Sequence, residues 1–381
     1  MKKRITALII SFSMIFAISP SVAAEDEISV SAQAAALLCI DTGEFLFIKN
    51  GEERLPMAST TKIMTSLLAL EAAQKNDKEV VFTKEMIAEG SSMGLKLGYK
   101  LALSDLAAGM MTVSGNDSAN AAAIGVSGSY EKFAELMNKR AKALGLDNTS
   151  FVTPSGLDDE NHYSTACDMA HLMEHAMSNK TFAELVGHKS VKVDFISPED
   201  LCVTYTSHNR LLSLYEYCTG GKTGFTKKAG RCLVTAAERD GKHLVAVTLN
   251  AGDDWNDHIK MYDYGFSQLE AMHYDDTAYH KSVAVVGGVC EKISVGAYSS
   301  ADCVVSCADK DKIKREVQLP HFLYAPVNSG NVVGRIVYKL NGKIIAENAL
   351  VAEDNCAAYE EKKGILELIG DGIKKIFGIR D

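Results

Sequence analysis

Positive charge is in deficit. The 381 residues carry 40 Lys and Arg against 49 Asp and Glu, a formal net charge of −9. That excludes the basic face a nucleic-acid-binding surface needs, so no nucleic acid partner is expected. Internal repeats and low-complexity tracts are absent too, which sets aside repeat arrays and long disordered arms. The nine cysteines contain no Cys-x-x-Cys pair, so the usual spacing of a zinc or dithiol site is missing. The N-terminal apolar run, Ile5 to Ile18, is about 14 residues, short of the roughly 20 that a membrane-spanning helix requires.

What is present begins with that run. Lys2, Lys3 and Arg4 precede it, and Val22, Ala23 and Ala24 follow it. A positive start, an apolar middle and a small-residue end form a secretory signal peptide, expected to cover residues 1–24. The mature chain is therefore expected outside the cytoplasmic membrane. With 47% hydrophobic and 23% charged residues, it can bury a large core, and its length favours two domains. In so long a chain the cysteines need not form a disulfide framework, and most read as small buried hydrophobes, with one or more disulfides or a metal site as the alternatives. Their odd count leaves at least one unpaired in a monomer.

Two apolar segments, Gln33–Ile40 and Glu44–Asn50, flank Asp41-Thr42-Gly43 and read as a hairpin. Helical spacing follows from Ser59 to about Gln74, from Tyr130 to Leu144 and from Thr165 to Ser178. Cys232–Glu238 and Lys242–Leu249 form a second hairpin around Arg239-Asp240-Gly241. Strands at both ends of a helical middle predict one α+β domain over residues 25–274. After about residue 275 short strand-like segments take over, with a strong turn at Asn341-Gly342, which predicts a small all-β domain over 275–358. The remainder, 359–381, is an amphipathic tail. Ile365, Leu366, Ile369, Ile373, Ile376 and Phe377 recur at helical spacing among Lys362, Lys363, Lys374 and Lys375, so its partner is expected to be the membrane surface.

Three short motifs carry the chemistry. In Ser59-x-x-Lys62 the lysine lies one turn from the serine and can take its proton, provided burial, a helix N-terminus and a second lysine lower its pKa. Ser114-Gly115-Asn116 offers a hydroxyl and a carboxamide from one short loop, suited to proton relay and to binding a peptide amide. Lys222-Thr223-Gly224 precedes a strand pair and can hold a substrate carboxylate at a sheet edge. A phosphate-binding loop is set aside, because Gly221-Lys222-Thr223 is followed by strand and position 216 is Glu. His171-Leu172-Met173-Glu174-His175 matches an inverted zinc-protease pattern, but no third ligand motif accompanies it and a plain helix with a polar side is the better reading.

The order Ser-x-x-Lys, Ser-x-Asn, Lys-Thr-Gly, with the second motif 55 residues after the first and the third 108 after that, is the signature set of penicillin-recognising serine enzymes. Around it, Ala58 to Thr65, His162-Tyr163-Ser164-Thr165, Gly220 to Thr226 and Asp253 to His258 resemble the D-alanyl-D-alanine carboxypeptidase family, in particular its Gram-positive sporulation-associated branch. Val285 to Val289 and Ser294 to Gly296 resemble the start of that family's β-rich C-terminal domain. The resemblance implies a penicillin-recognising transpeptidase/β-lactamase-like α+β domain followed by the small β domain. It implies acylation of Ser59, Lys62 as general base, Ser114 as proton relay, and a substrate site made by Asn116, Lys222, Thr223 and the backbone of Phe225, which joins Ser59 in an oxyanion hole. The substrate implied is a peptidoglycan stem peptide ending in D-Ala-D-Ala, β-lactams are implied as inhibitors, and no metal or organic cofactor is needed. A catalytically idle wall-binding or scaffolding protein is one rival reading, against which the three intact motifs speak; a class A β-lactamase is the other. It requires a carboxylate to activate the deacylating water, and Asp158, Asp159 and Glu160 lie in a comparable loop. Cys218, close to the Lys-Thr-Gly segment, departs from the pattern.

Overall fold

The computed structural model describes residues 28–360. The signal peptide expected over 1–24 and the tail segment 361–381 lie outside the described residues. The first hairpin is β1 (Ala34–Cys39) and β2 (Glu44–Lys49). A 3-10 turn, Ala58–Thr61, leads into α1 (Lys62–Lys75). A small hairpin, β3 (Glu79–Val81) and β4 (Lys100–Ala102), precedes α2 (Leu103–Thr112), α3 (Asn116–Ser127) and α4 (Tyr130–Ala143). Then come α5 (Ala166–Met177), α6 (Lys180–Gly187), the hairpin β5 (Ser190–Asp194) and β6 (Cys202–Thr206), and the short α7 (Leu211–Leu214). Strands β7 (Cys218–Thr226), β8 (Gly230–Arg239) and β9 (Lys242–Leu249) run as a meander into α8 (Asp254–Ser267).

The main sheet has five strands in the order β2-β1-β9-β8-β7, antiparallel throughout. Strand β1 reads Ala-Ala-Ala-Leu-Leu-Cys and is buried at every position, because helices cover both faces of the sheet. On one face Leu38, Val234 and Val247 pack against Ile63, Leu67, Met169 and Met173 of the helical layer. On the other, Leu37, Leu244 and Ala246 meet Met261, Tyr262 and Phe266 of α8. Helix α1 is buried all round from Lys62 to Leu70, more than the single apolar face of Ile63, Leu67 and Leu70 suggested. A helix enclosed on every side marks the middle of its domain.

The second domain holds β10 (Leu269–Asp275), β11 (His280–Val286), β12 (Lys292–Ala297), β13 (Ser300–Ser306), β14 (Lys314–Gln318), β15 (Phe322–Tyr324), β16 (Val332–Leu340) and β17 (Lys343–Ala352). Six of these form one sheet, β14-β16-β17-β12-β11-β15, and β10 pairs with β13. Strand β10, which a boundary at 274/275 leaves with the first domain, pairs with β13 from Leu269 to Asp275.

The cysteines depart from expectation. Cys290 and Cys356 form a disulfide, while Cys202 and Cys307 are exposed and Cys218 and Cys303 half-buried. Only Cys39, Cys167 and Cys232 among the free thiols are fully buried. The disulfide ties the strand-like segment after β17 to the β11–β12 turn. It serves a small β layer whose own apolar cluster is modest beside the catalytic core. Among the described residues no group of three or more His, Cys, Asp or Glu is arranged to hold a metal. His171 pairs with Glu174 on the surface of α5 (3.0 Å).

Candidate active site

Ser59 does not open an α-helix directly. It sits in the 3-10 turn before α1, preceded by Ala58 in the left-handed region (φ 48°). In such a turn residues three apart eclipse one another, so Lys62 stands directly over Ser59. The Ser59 Oγ and Lys62 Nζ atoms are 2.9 Å apart. Lys62 Nζ also donates to Asn116 Oδ1 (2.6 Å) and to the Ser155 carbonyl (2.6 Å). The lysine is completely buried, and its pKa is pushed well below the ordinary value, first by that burial and then by the charge of Lys222, against an opposing pull from Asp117. A neutral amine has two N–H bonds and one lone pair. Two carbonyl-type acceptors take the N–H bonds, which leaves the lone pair for the Ser59 hydroxyl.

The second motif sits where α2 ends and α3 begins. Ser114 is itself left-handed (φ 60°) and buried, a backbone state that costs about 1–3 kcal/mol for a non-glycine residue and is held by its surroundings. Those surroundings are organised by Asp117. Its carboxylate accepts from the backbone N–H groups of Met93 (2.8 Å), Gly94 (3.1 Å) and Leu95 (3.1 Å) and from Ser92 Oγ (2.6 Å). Asn116 Nδ2 donates to the Glu89 carbonyl (2.7 Å). With Oδ1 on Lys62, Asn116 retains one N–H for a substrate.

The third motif lies inside a strand, not before one. Lys222, Thr223 and Gly224 belong to β7, the edge of the main sheet. Lys222 is buried, and its Nζ donates to Ser114 Oγ (2.9 Å) and the Thr223 carbonyl (2.8 Å). Burial lowers its pKa to about 7. A Cβ on Gly224 would come within 3.0 to 3.1 Å of the Met57 carbonyl and the backbone nitrogens of Ser59 and Thr60, so glycine lets the strand lie against the nucleophile turn. Ser59, Ser114, Thr223 and Phe225 line one cleft of about 480 Å³ with His208, Arg210, Arg231 and Trp255. Phe225 is 67% exposed there. A larger cavity of about 680 Å³ lies between the two domains, near Asp41, Asp240 and Asp302, and contains none of the motif residues.

All three motifs thus meet around one serine. Among models of known families, the D-alanyl-D-alanine carboxypeptidase model matches residues 20–253 and the penicillin-binding protein 5 C-terminal domain matches 266–358. The chain belongs to the D-alanyl-D-alanine carboxypeptidase family. It is 32% identical over 372 residues to the carboxypeptidase DacF of Bacillus subtilis, covering 93% of this chain and 95% of that one. It is 34% identical over 344 residues to DacC of Escherichia coli, covering 86% and 84%. Among solved structures, penicillin binding protein 5 of Haemophilus influenzae superposes with a TM-score of 0.62 at 28% identity, covering 87% of this chain and 98% of that one. A Streptomyces DD-transpeptidase superposes with a TM-score of 0.59 at 31% identity, covering 63% and 99%. Members of this carboxypeptidase family are serine peptidases of peptidoglycan metabolism, and the fold is the penicillin-recognising α+β type with an added β domain.

Several residues near the cleft carried no role in the sequence reading. The Ser155 carbonyl is invisible there because any residue supplies one. Arg231 pairs with the buried Asp254 through Nε and Nη2 and stands 5.9 Å from the Trp255 ring centre. Arg231 and Asp254 are 23 positions apart, and only the β8–β9 register brings them together. Cys218 lies at the start of β7, outside the cleft, and burial raises its thiol to about 11, so it stays protonated at neutral pH.

Proposed function

We propose that Ser59 is the nucleophile of a D-Ala-D-Ala carboxypeptidase and Lys62 its general base. The observation that carries this is the placement of the Lys62 amine, fully buried and shared among Ser59, Asn116 and the Ser155 carbonyl. Ser59 loses its proton to Lys62 and attacks the carbonyl between the two terminal D-alanines of a stem peptide. The peptide lies along the open edge of β7, and the backbone N–H groups of Ser59 and Phe225 receive the oxyanion. Ser114 hands its proton to the leaving amine and is resupplied by Lys222, which already donates to it. Water then hydrolyses the acyl-enzyme. A β-lactam mimics the dipeptide and acylates the same serine.

Recognition of the free carboxylate falls to Thr223 and to the guanidiniums lining the cleft. Lys222 is turned inward and half neutral near pH 7, whereas an arginine there stays charged. A β-lactamase is the less supported reading. Asp158 accepts from Thr226 (2.8 Å) and is exposed with Glu160. Asp254, the carboxylate lining the cleft, is engaged by Arg231. The deciding experiment measures D-alanine release from a D-Ala-D-Ala pentapeptide by the wild type and by Ser59→Ala. Absence of release by the wild type, or undiminished release by the variant, would refute the assignment.

Two further parts of the reading concern location. The enzyme is exported by its N-terminal signal and held at the outer face of the membrane by the amphipathic tail. Support comes from the residue pattern of each segment. Among the described residues no helix is long and apolar enough to cross a membrane.

A further inference from the structure

Thr61 and His162 are buried beside the catalytic lysine, yet neither touches the cleft. The His162 ring has a defined tautomer. Its Nδ1 accepts from the backbone N–H of Val152 (2.9 Å) and of Thr153 (3.3 Å), so the hydrogen resides on Nε2. Nε2 lies 2.8 Å from Thr61 Oγ1 and donates to it, and Thr61 Oγ1 donates onward to the Ala58 carbonyl (2.8 Å). Ala58 immediately precedes Ser59, and Thr61 immediately precedes Lys62.

The loop on the other side of the ring is the one that meets the catalytic amine. It supplies the Ser155 carbonyl to Lys62 Nζ and the Pro154 carbonyl to Thr65 Oγ1 (2.7 Å). It also carries Gly156 (φ +83°), where a Cβ would fall 2.0 Å from the Ala58 carbonyl oxygen. The loop is pinned internally, since Gly156 N–H donates to Thr153 Oγ1 (3.1 Å). One imidazole therefore bridges the strained turn bearing the nucleophile and the loop bearing an acceptor for the base. The charges that bear on the ring are Asp158 and Asp159 from its own loop and Lys62 from α1. Burial, aided by Lys62, outweighs the two carboxylates and lowers its pKa to about 4.

We propose that His162, as the neutral Nε2–H tautomer, is a positioning residue for acyl transfer that locks the Ser155 carbonyl to the Ser59–Lys62 turn. In that register Lys62 spends its N–H bonds on Asn116 and Ser155 and keeps its lone pair on Ser59. The proposal rests on Ser59 and Lys62 acting as nucleophile and base, so Ser59→Ala is run alongside. If that variant still takes up a fluorescent penicillin, the assignment of the nucleophile fails first.

The test measures acylation of full-length mature enzyme by fluorescent penicillin across pH, counted per folded molecule, with thermal unfolding as a control. His162→Asn keeps an acceptor near the loop N–H groups but cannot reach Thr61. His162→Gln reaches toward Thr61 but loses the loop acceptor. Each should slow acylation by about 10- to 100-fold with little change in initial penicillin affinity, the scale expected when reacting groups are misplaced by about 1 Å. The acid limb of the rate profile should move to higher pH, because a loosened loop admits water to Lys62 and relaxes the burial that holds it neutral. Thr61→Val should act in the same direction more weakly and add little to His162→Gln, since both break one chain of hydrogen bonds. If the histidine variants fold poorly, Thr61→Val alone decides. Folded variants with wild-type acylation and an unmoved acid limb overturn the proposal. So does a loss confined to thermal stability.

Discussion

A lysine side chain in water holds its proton to about pH 10.4, so Lys62 can act as a base only because its surroundings make the ammonium form costly. Burial and the neighbouring Lys222 do this, which yields a pH profile with assigned limbs. kcat/KM should rise on the acid side as Lys62 loses its proton. It should fall again above about 7 as Lys222, whose pKa is lowered to about 7, stops resupplying Ser114. A profile still climbing at pH 9 would contradict the relay role of Lys222. The inward aim of Lys222 also separates two substitutions. Lys222→Ala should depress turnover of carboxylate-terminated and amidated peptides alike, because Ser114 loses its donor. Arg231→Gln should raise KM for the carboxylate-terminated peptide by about 10- to 100-fold, the worth of a charge-assisted hydrogen bond, and leave the amidated peptide nearly untouched. Equal effects of Arg231→Gln on both would remove it from carboxylate recognition. At this scale Ser59, Lys62, Ser114 and Lys222 were legible in the sequence, because side-chain chemistry and spacing name them. Asp117 and Arg231 were not, since their partners come from loops and strands distant along the chain.

Elements were legible where pattern and packing agree. The β8–β9 hairpin and α5 carry clear periodicity and ordinary turn or cap residues, and Thr165 caps α5 by accepting from the Asp168 N–H. Strand β7 failed that test. Cys-Thr-Gly-Gly-Lys-Thr-Gly-Phe-Thr is poor in β-branched apolar residues, and glycine is a weak strand former. It is a strand because β8 pairs with it and because Gly224 lets it lie on the nucleophile turn. The small hairpins β3–β4 and β5–β6 were missed for a related reason: short, half-exposed segments are fixed by what they pack on. The disulfide between Cys290 and Cys356, 66 residues apart, belongs to the second domain alone. Replacing both cysteines with serine should lower that domain's stability by roughly 2–4 kcal/mol while Ser59 acylation proceeds at its usual rate. Differential scanning calorimetry beside penicillin labelling reads both. A matching loss of labelling would mean that the two domains fold as one unit.

For the whole molecule, location and acid tolerance are the measurable properties. Deleting residues 360–381 should move the enzyme from the membrane fraction to the soluble fraction with activity on small peptides retained. Continued sedimentation with membranes would end the anchor reading. Acid tolerance follows from two buried neutral histidines. Burial lowers His258 to about 3 and His162 to about 4, while in the unfolded chain both return to about 6.5. Between those values the unfolded chain binds protons that the folded chain refuses, so the histidines' share of stability is complete above about pH 6.5 and declines as pH falls toward 4. The thermal midpoint should fall steadily from pH 8 to pH 4.5, above 7 because buried Lys62 and Lys222 refuse protons that the unfolded chain holds and below 6.5 because the two histidines do so as well. A midpoint unchanged down to pH 4.5 would contradict neutral burial of both rings.

The strand order β2-β1-β9-β8-β7 also sets when, during synthesis, the proposed nucleophile Ser59 is first seated for acylation. Ser59 and Lys62 leave the ribosome early, but the sheet that seats them closes only when β9 slots between β1 and β8, after residue 249. If the chain is exported unfolded, as proposed, Ser59 stays unseated until nearly the whole catalytic domain has emerged. Pairing segments so far apart slows closure more than it weakens the finished sheet. A β-lactam should then label no nascent chain before β9 is home in the catalytic domain.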